Sequence, residues 1–267
     1  MTEFSAVIPT FRRPVELAEA LRSVLLQEGV TVEAIVVDDS PEGSAREVVE
    51  SFGDGRITYL KNPEPTGGNP ALVRNLGWPK ASGAFVHFLD DDDIVPEGHY
   101  KSAKEAFDAH PEVGVVFGRV EPFGTNEATL APERIYFSEA AMRARKAARF
   151  GPKLAFAANL YFQATMIVCS TCQIRRECVE KLGGFDNGSR LVEDVEFYAR
   201  AMRRFGAHFM DRIALKYRIG TSIMHSRAND DAIVKTYRRM HDRYRREAGS
   251  LEFFAMKAFS RLVLPAL

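Results

Sequence analysis

Short apolar runs alternate with segments of helical period along the first half of the chain. This is the pattern of a mostly parallel sheet covered by helices. Ser5 to Ile8 reads as a strand that Pro9-Thr10 ends. From Pro14, residues Leu17, Ala18, Leu21, Val24 and Leu25 recur at helical spacing, with Pro14 suited to a first turn and Gly29 to the stop. Ala34 to Val37 is a fully apolar strand running into Asp38-Asp39-Ser40, then a Pro-Glu-Gly turn and a helix through Val48 and Val49. Ile57 to Leu60 is the third strand. A Pro/Gly-rich loop from Asn62 to Pro70 leads into a helix over Ala71 to Leu76, and Ala84 to Leu89 is the fourth strand. A helix from Pro96 to about His110 and a strand over Val113 to Phe117 follow.

The alternation then lapses. Residues 121–163 read as irregular, with a basic helical piece from Met142 to Lys146 between Pro132 and Pro152, which suits a lid or substrate loop. Met166 to Ile174 is strand-like, Arg175 to Leu182 a short helix, and Gly183-Gly184-Phe185-Asp186 a turn. Glu193-Asp194 opens a helix whose Val195, Tyr198, Met202 and Phe205 share a face, stopped by Gly206. A main domain over 1–226 and a helical C-terminal arm over 227–267 are the expected units. In the arm Leu251, Phe254, Ala255, Ala258, Phe259 and Leu262 share one face, with Lys257 and Arg261 opposite. That pattern suits docking on the main domain, packing in a homodimer, or peripheral contact with a membrane.

Composition narrows the class. The 267 residues are 46% hydrophobic and carry 36 basic and 36 acidic side chains, so a sizeable core is available and the whole chain is no binder of nucleic acid. No apolar run approaches the roughly 18 residues of a bilayer span. Thr2-Glu3 follows Met1 without a secretory leader, so the expected place is cytoplasmic, peripheral at the inner face of the membrane if the arm binds lipid. Cys169, Cys172 and Cys178 read as buried, reduced core thiols in preference to a zinc site completed by His208.

The chemistry centres on Phe88-Leu89-Asp90-Asp91-Asp92-Asp93. Adjacent carboxylates repel, so four of them at the end of an apolar strand point to a cation held there. In open α/β sheets ligands bind beyond the carboxyl ends of strands, and Asp38-Asp39 falls on the same side. A hard divalent ion bridging Asp90-x-Asp92 and a pyrophosphate would neutralise a leaving group. The competing structural reading is an acidic solvated turn that caps the helix after Pro96, whereas beside a metal at Asp90 and Asp92 it is Asp93 that is expected to cap that helix.

Six motifs in order resemble the family 2 glycosyltransferases, whose fold is called GT-A. They are Val7-Ile8-Pro9-Thr10-Phe11-Arg12-Arg13, Val36-Val37-Asp38-Asp39-Ser40, Val73-Arg74-Asn75-Leu76-Gly77, the Asp90–Asp93 run, Leu182-Gly183-Gly184-Phe185-Asp186 and Glu193-Asp194. The resemblance implies transfer of a sugar, with inversion, from a UDP-, dTDP- or GDP-sugar donor to a glycan, lipid-linked or small-molecule acceptor. It implies Mn2+ or Mg2+ held by Asp92 and Asp90, with Asp91 a further donor contact. It places Pro9, Thr10, Phe11, Arg13, Asp38 and Asp39 around the nucleotide, with Asp39 on the base. Arg74 is implied against the diphosphate or ribose, a salt bridge to Asp38 or Asp39 being the alternative. Asp194 is implied as general base with Glu193 beside it. Lys216-Tyr217-Arg218, Thr221-Ser222 and His225 resemble a segment that closes over the donor, which makes His225 a further candidate metal ligand. Arg12 and Ser40-Pro41 depart from the usual pattern. A sugar-1-phosphate nucleotidyltransferase and a non-catalytic sugar-nucleotide or metal-binding module are the alternatives.

Overall fold

Fully apolar Ala34-Ile35-Val36-Val37 is buried on both faces in β2 (Val32–Asp38), one of seven strands that form a single sheet among the described residues. The computed structural model describes residues 2–189, 191–220 and 230–264. Strands β1 (Phe4–Thr10), β2, β3 (Ile57–Lys61) and β4 (Phe85–Phe88) run parallel in the order β3-β2-β1-β4. Beyond β4 lie β6 (Cys172–Arg175), β5 (Val115–Phe123) and β7 (Ala207–Arg218). Only β6 is antiparallel to its neighbours, so the sheet is mostly parallel as the sequence pattern predicts.

Helices α1 (Pro14–Leu25), α2 (Arg46–Phe52), α3 (Pro70–Gly77), α4 (His99–Ala109), α7 (Arg176–Leu182) and α8 (Glu193–Phe205) fall where periodicity placed helices. The two faces of the sheet carry separate cores. Phe4, Ala6 and Ile8 of β1 join one with Leu17 and Leu21 of α1, while Val7 joins the other with Val73 of α3 and Phe197 of α8. This alternation follows from the period of two along a strand.

Two segments differ from the sequence pattern, and one strand is additional to it. Residues 121–163 are mostly helical: α5 spans Glu127–Ala148 and α6 spans Leu154–Phe162. Asn126 caps α5 by accepting from the Ala128 N–H, and Pro132 lies inside the helix near its start rather than breaking it. Helix α6 is apolar almost all round and packs between α8 and α9 (Asp230–Val263), so it has no polar face to create a helical period. The Met166–Ile174 segment supplies a strand only from Cys172, because Cys169–Thr171 coils into one 3-10 turn closed by Thr171 N–H to the Val168 carbonyl. Strand β7 was not anticipated; its half-exposed sequence lacks the apolar run of a buried strand.

The arm is corrected in part. Met240, Tyr244, Phe253 and Met256 of α9 enter the core, so the arm docks on the sheet domain. Gly249 breaks the helix in two with φ 84°. In the second half the docked face is Phe253, Met256, Ser260 and Leu264, whereas Leu251, Phe254, Ala255, Ala258 and Leu262 face outward. The segment is apolar on two opposite faces, so its pattern alone does not say which one docks. All three cysteines are buried free thiols, and burial raises the pKa of each, that of Cys178 to about 11. His208 stacks on His110 instead of joining them.

The Gly183-Gly184 turn after α7 seats Phe185 against α3. Asn75 accepts from the Phe185 N–H at 2.9 Å and donates to the Phe185 carbonyl at 2.9 Å. Gly184 has φ +79°, and a β-carbon there would lie 2.7 Å from Trp78 Nε1 and closer still to Asn75 Oδ1. Gly184→Ala combines left-handed strain with overpacking and is expected to cost about 3 kcal/mol in urea denaturation.

Candidate active site

Parallel pairing of β1 with β4 sets Val7 beside Phe88 and brings the loops after both strands together. Arg13 Nη1 reaches Asp91 Oδ1 at 3.1 Å and Asp92 Oδ2 at 2.8 Å, and the Phe11 N–H points at Asp91 Oδ2 at 3.4 Å. Burial pushes the Asp91 carboxyl up to about 7, with Arg13 pulling the other way. The turn closes by Asp93 N–H to the Asp90 carbonyl. Its floor is Ser170, whose Oγ accepts from the Asp90 N–H at 3.0 Å. The Ser170 carbonyl accepts from His87 Nε2, which leaves His87 Nδ1 to accept from the Tyr100 hydroxyl. Burial depresses His87 to about 4, so this support stays neutral.

Asp93 does not cap α4. That helix starts at His99 after Gly98, and Asp93 turns instead toward β7, accepting from the Arg218 N–H at 3.2 Å. An isolated bridge between Ile94 and Lys216 holds β7 there. The Arg218 guanidinium donates to the Asp92 carbonyl at 2.9 Å, pairs with Glu19, and lies 4.6 Å from the Phe123 ring centroid. Thr221, Ser222 and His225 lie outside the described residues.

The two acids ending β2 have separate tasks. Asp38 accepts four hydrogen bonds, from the Ser40 N–H and hydroxyl, the Ala45 N–H and the Tyr59 hydroxyl. Its carboxylate is therefore spent on the turn before α2. Asp39 accepts from Asn62 Nδ2, the Thr66 N–H and hydroxyl and the Gly68 N–H, pinning the Pro/Gly-rich loop against the end of β1. These bonds outweigh burial and lower its pKa. Pro9 and Thr10 end β1 beside it, with the Asp39 N–H donating to the Thr10 carbonyl.

Arg74 does not make the salt bridge to Asp38 or Asp39 weighed for it in the sequence. Its side chain is 3% exposed; Nη2 sits 2.5 Å from Asp90 Oδ1 and Nη1 2.6 Å from Glu193 Oε1. The Phe185 ring lies below its guanidinium, 5.3 Å from Cζ. One cation thus joins the acidic turn after β4 to the acidic start of α8. Glu193 follows Val192, which is held at φ 52° although it is β-branched, a strained position at a site-forming turn. Burial raises the pKa of both Glu193 and Asp194, and Arg74 opposes it in each. Asp194 Oδ1 accepts from the Val195 N–H at 2.8 Å.

Ser170, Asn62 and Thr66 were not foreseen. Ser170 reaches Asp90 only through the antiparallel insertion of β6 next to β4, and no spacing in the sequence announces that. Among the described residues no group of three or more His, Cys, Asp and Glu is gathered to hold a metal ion.

A mostly parallel sheet that carries acids at its strand ends, with one reversed strand and a helix opening on a second acidic pair, is a GT-A-type architecture. The chain belongs to glycosyl transferase family 2, whose family model matches residues 5–183. It is 39% identical over 100 residues to the GalNAc(5)-diNAcBac-PP-undecaprenol beta-1,3-glucosyltransferase of Campylobacter jejuni, covering 37% of this chain and 32% of that protein. It is 30% identical over 112 residues to the poly(ribitol-phosphate) beta-N-acetylglucosaminyltransferase TarS of Staphylococcus aureus, covering 41% of this chain and 20% of that one. The aligned segments thus span a third or less of these relatives. In structure, S. aureus TarS 1-349 in complex with UDP-GlcNAc superposes with TM-score 0.71 at 16% identity, over 98% of this chain and 73% of that one. The mannosyltransferase PcManGT of Pyrobaculum calidifontis in complex with GDP-Man and Mn2+ gives 0.66 at 18%, over 98% and 71%.

The four bonds to Asp38 carry a consequence for stability. Asp38→Asn leaves one acceptor oxygen where two each take two donors, and is expected to cost about 3 kcal/mol in urea denaturation.

Proposed function

We propose that the chain transfers a sugar from a nucleoside-diphosphate donor to a hydroxyl acceptor with inversion at the anomeric carbon. The observation that carries this reading is the Arg74 bridge: a donor-side acid and an acceptor-side acid meet on one guanidinium. Single displacement needs those two ends close together, with the leaving group on one side and a base on the other. The nucleotide lies over the ends of β1 and β2, against Pro9, Thr10, Phe11 and the loop that Asp39 organises. Asp194 takes the acceptor hydroxyl proton as the new C–O bond forms, and the bond to the diphosphate breaks with its electron pair leaving on phosphate oxygen. Arg13 and Arg74 are the nearest cations to offset that charge.

Asp90 and Asp92 are the residues that would hold Mn2+ or Mg2+. They supply hard carboxylate oxygens, and the Asp90 side chain keeps 33% of its surface exposed. Two carboxylates make no closed cage, which fits an ion that completes its shell with diphosphate oxygens and water. When bound, such an ion supplies Lewis-acid neutralisation of the leaving diphosphate. The names of the C. jejuni and S. aureus relatives support a glycan or lipid-linked acceptor in place of a small molecule. Residues 1–226 serve as the catalytic unit, with α5 and α6 on the acceptor side and 227–267 as an accessory arm. Three buried free thiols favour a reducing, cytoplasmic compartment.

A thermal-shift screen of UDP-, GDP- and dTDP-sugars with and without Mn2+ tests the class. Stabilisation by one donor type only in the presence of metal is expected. Asp194→Asn should keep that shift and lose about a thousandfold in turnover. Because burial raises the pKa of Asp194, the base form is lost as pH falls through a value above the ordinary aspartate range, and the acid limb of the rate should lie there. Turnover by the Asn variant near the wild-type rate would overturn the role of Asp194, and stabilisation by no donor would overturn the class.

A further inference from the structure

The outward face of α9 beyond Gly249 is a continuous apolar stripe. Leu251 is 87% exposed, Phe254 55% and Leu262 82%, and Ala255 and Ala258 lie exposed between them. Positions 251, 254, 255, 258 and 262 are neighbours on one side of a helix, so they form a strip about 17 Å long. A second element extends it. After α5, exposed Phe150 packs edge-on against Phe259, with ring centroids 5.7 Å apart, and Leu154 is exposed four residues later.

Basic side chains outnumber acidic ones around this patch, although Arg245 also pairs with Asp242 at 3.3 Å. Arg245, Arg246 and Arg261 on α9 and Arg149 and Lys153 beside Phe150 are all exposed. The Arg245 guanidinium lies 4.3 Å from the Phe253 ring centroid and 5.8 Å from that of Phe254, which sets a positive charge at the start of the stripe. The nearby acids Glu247 and Glu252 are drawn toward Arg203 on α8. The chain as a whole is neutral, with 36 basic and 36 acidic residues, so this basic rim is local.

We infer that the α9 stripe and the Phe150 turn form a seat for an anionic lipid bilayer. An exposed helical face with large apolar side chains and basic flanks enters the headgroup boundary, where the apolar groups leave water and the arginines meet lipid phosphates. A second copy of the chain fits less well. A two-fold contact sets the patch against itself and brings basic rim against basic rim. The strip is one helix wide, far below the roughly 800 Å² per partner of a stable dimer. The inference does not depend on the sugar-transfer reading, because it needs neither donor nor metal.

Vesicle co-sedimentation of the full chain, without nucleotide, tests it. The protein is expected to partition onto phosphatidylcholine vesicles containing about one quarter phosphatidylglycerol, and to be released in about 0.5 M salt, where screening is short-ranged. Combined Leu251→Ser, Phe254→Ser and Leu262→Ser should weaken partitioning about tenfold or more with little change in melting temperature, since these side chains are mostly exposed and only Phe254 touches a core ring, that of Phe253. A second variant, Arg245→Gln with Arg246→Gln and Arg261→Gln, should remove the preference for anionic over neutral vesicles. No binding to anionic vesicles, or equal binding by wild type and both variants, would overturn the inference. A lipid-free dimer that the serine variant dissociates would also overturn it and assign the face to a second copy.

Discussion

Arg74 is the residue on which the arrangement of this site depends. A guanidinium with 3% of its side chain exposed is held by two carboxylates, one from the turn after β4 and one from the first turn of α8. Neither acid is near the other in sequence: Asp90 is 16 residues from Arg74 and Glu193 is 119 away. Burying any one of the three alone would cost several kcal/mol, so each is tolerable only because the others are in place. The interaction therefore works as a positional constraint more than as a source of stability. It sets the distance between the acidic turn after β4 and the acidic start of α8, beside the strained Val192.

The neighbouring groups repeat that logic. Arg13, just before α1, spans Asp91 and Asp92, Arg74 of α3 pairs with Asp90, and the Arg218 guanidinium at the end of β7 holds the Asp92 carbonyl, so three cations surround one acidic turn. Four adjacent acids in an unliganded fold repel one another, and these contacts offset the repulsion while leaving Asp90 the most open. Beneath them Ser170, His87 and Tyr100 form a neutral relay of hydrogen bonds that fixes the backbone of Asp90 from inside the sheet. Support of this kind holds the acidic turn in one orientation.

Much of this was legible in the sequence, for stated physical reasons. Strands β1 to β4 and helices α1, α3 and α8 announce themselves by period, and acids directly after apolar strands must lie at the carboxyl edge of a parallel sheet. The tasks of those acids were less legible. Asp38 and Asp39 are adjacent and chemically identical, yet one closes a turn and the other pins a loop, because successive residues at a strand end face opposite sides. The partner of Arg74 could not be read at all, since it depends on how α8 is laid across α3. Helix α6 was hidden by its own burial, and the second half of α9 by being apolar on two faces. In each miss the deciding contact was long-range, while the visible pattern was local.

Arg74 joins Asp90 and Glu193 into one unit. A double-mutant cycle of Arg74→Met and Glu193→Gln, read by urea denaturation at about pH 8, tests this directly, because burial raises the Glu193 carboxyl to about 7 and it is ionised above that value. Arg74→Met alone should cost about 4 kcal/mol by stranding buried charge, and adding Glu193→Gln should recover part of it, giving a coupling of about 1.5 kcal/mol or more. Single effects that simply add, within about 0.5 kcal/mol, would mean that Arg74 and Glu193 act independently.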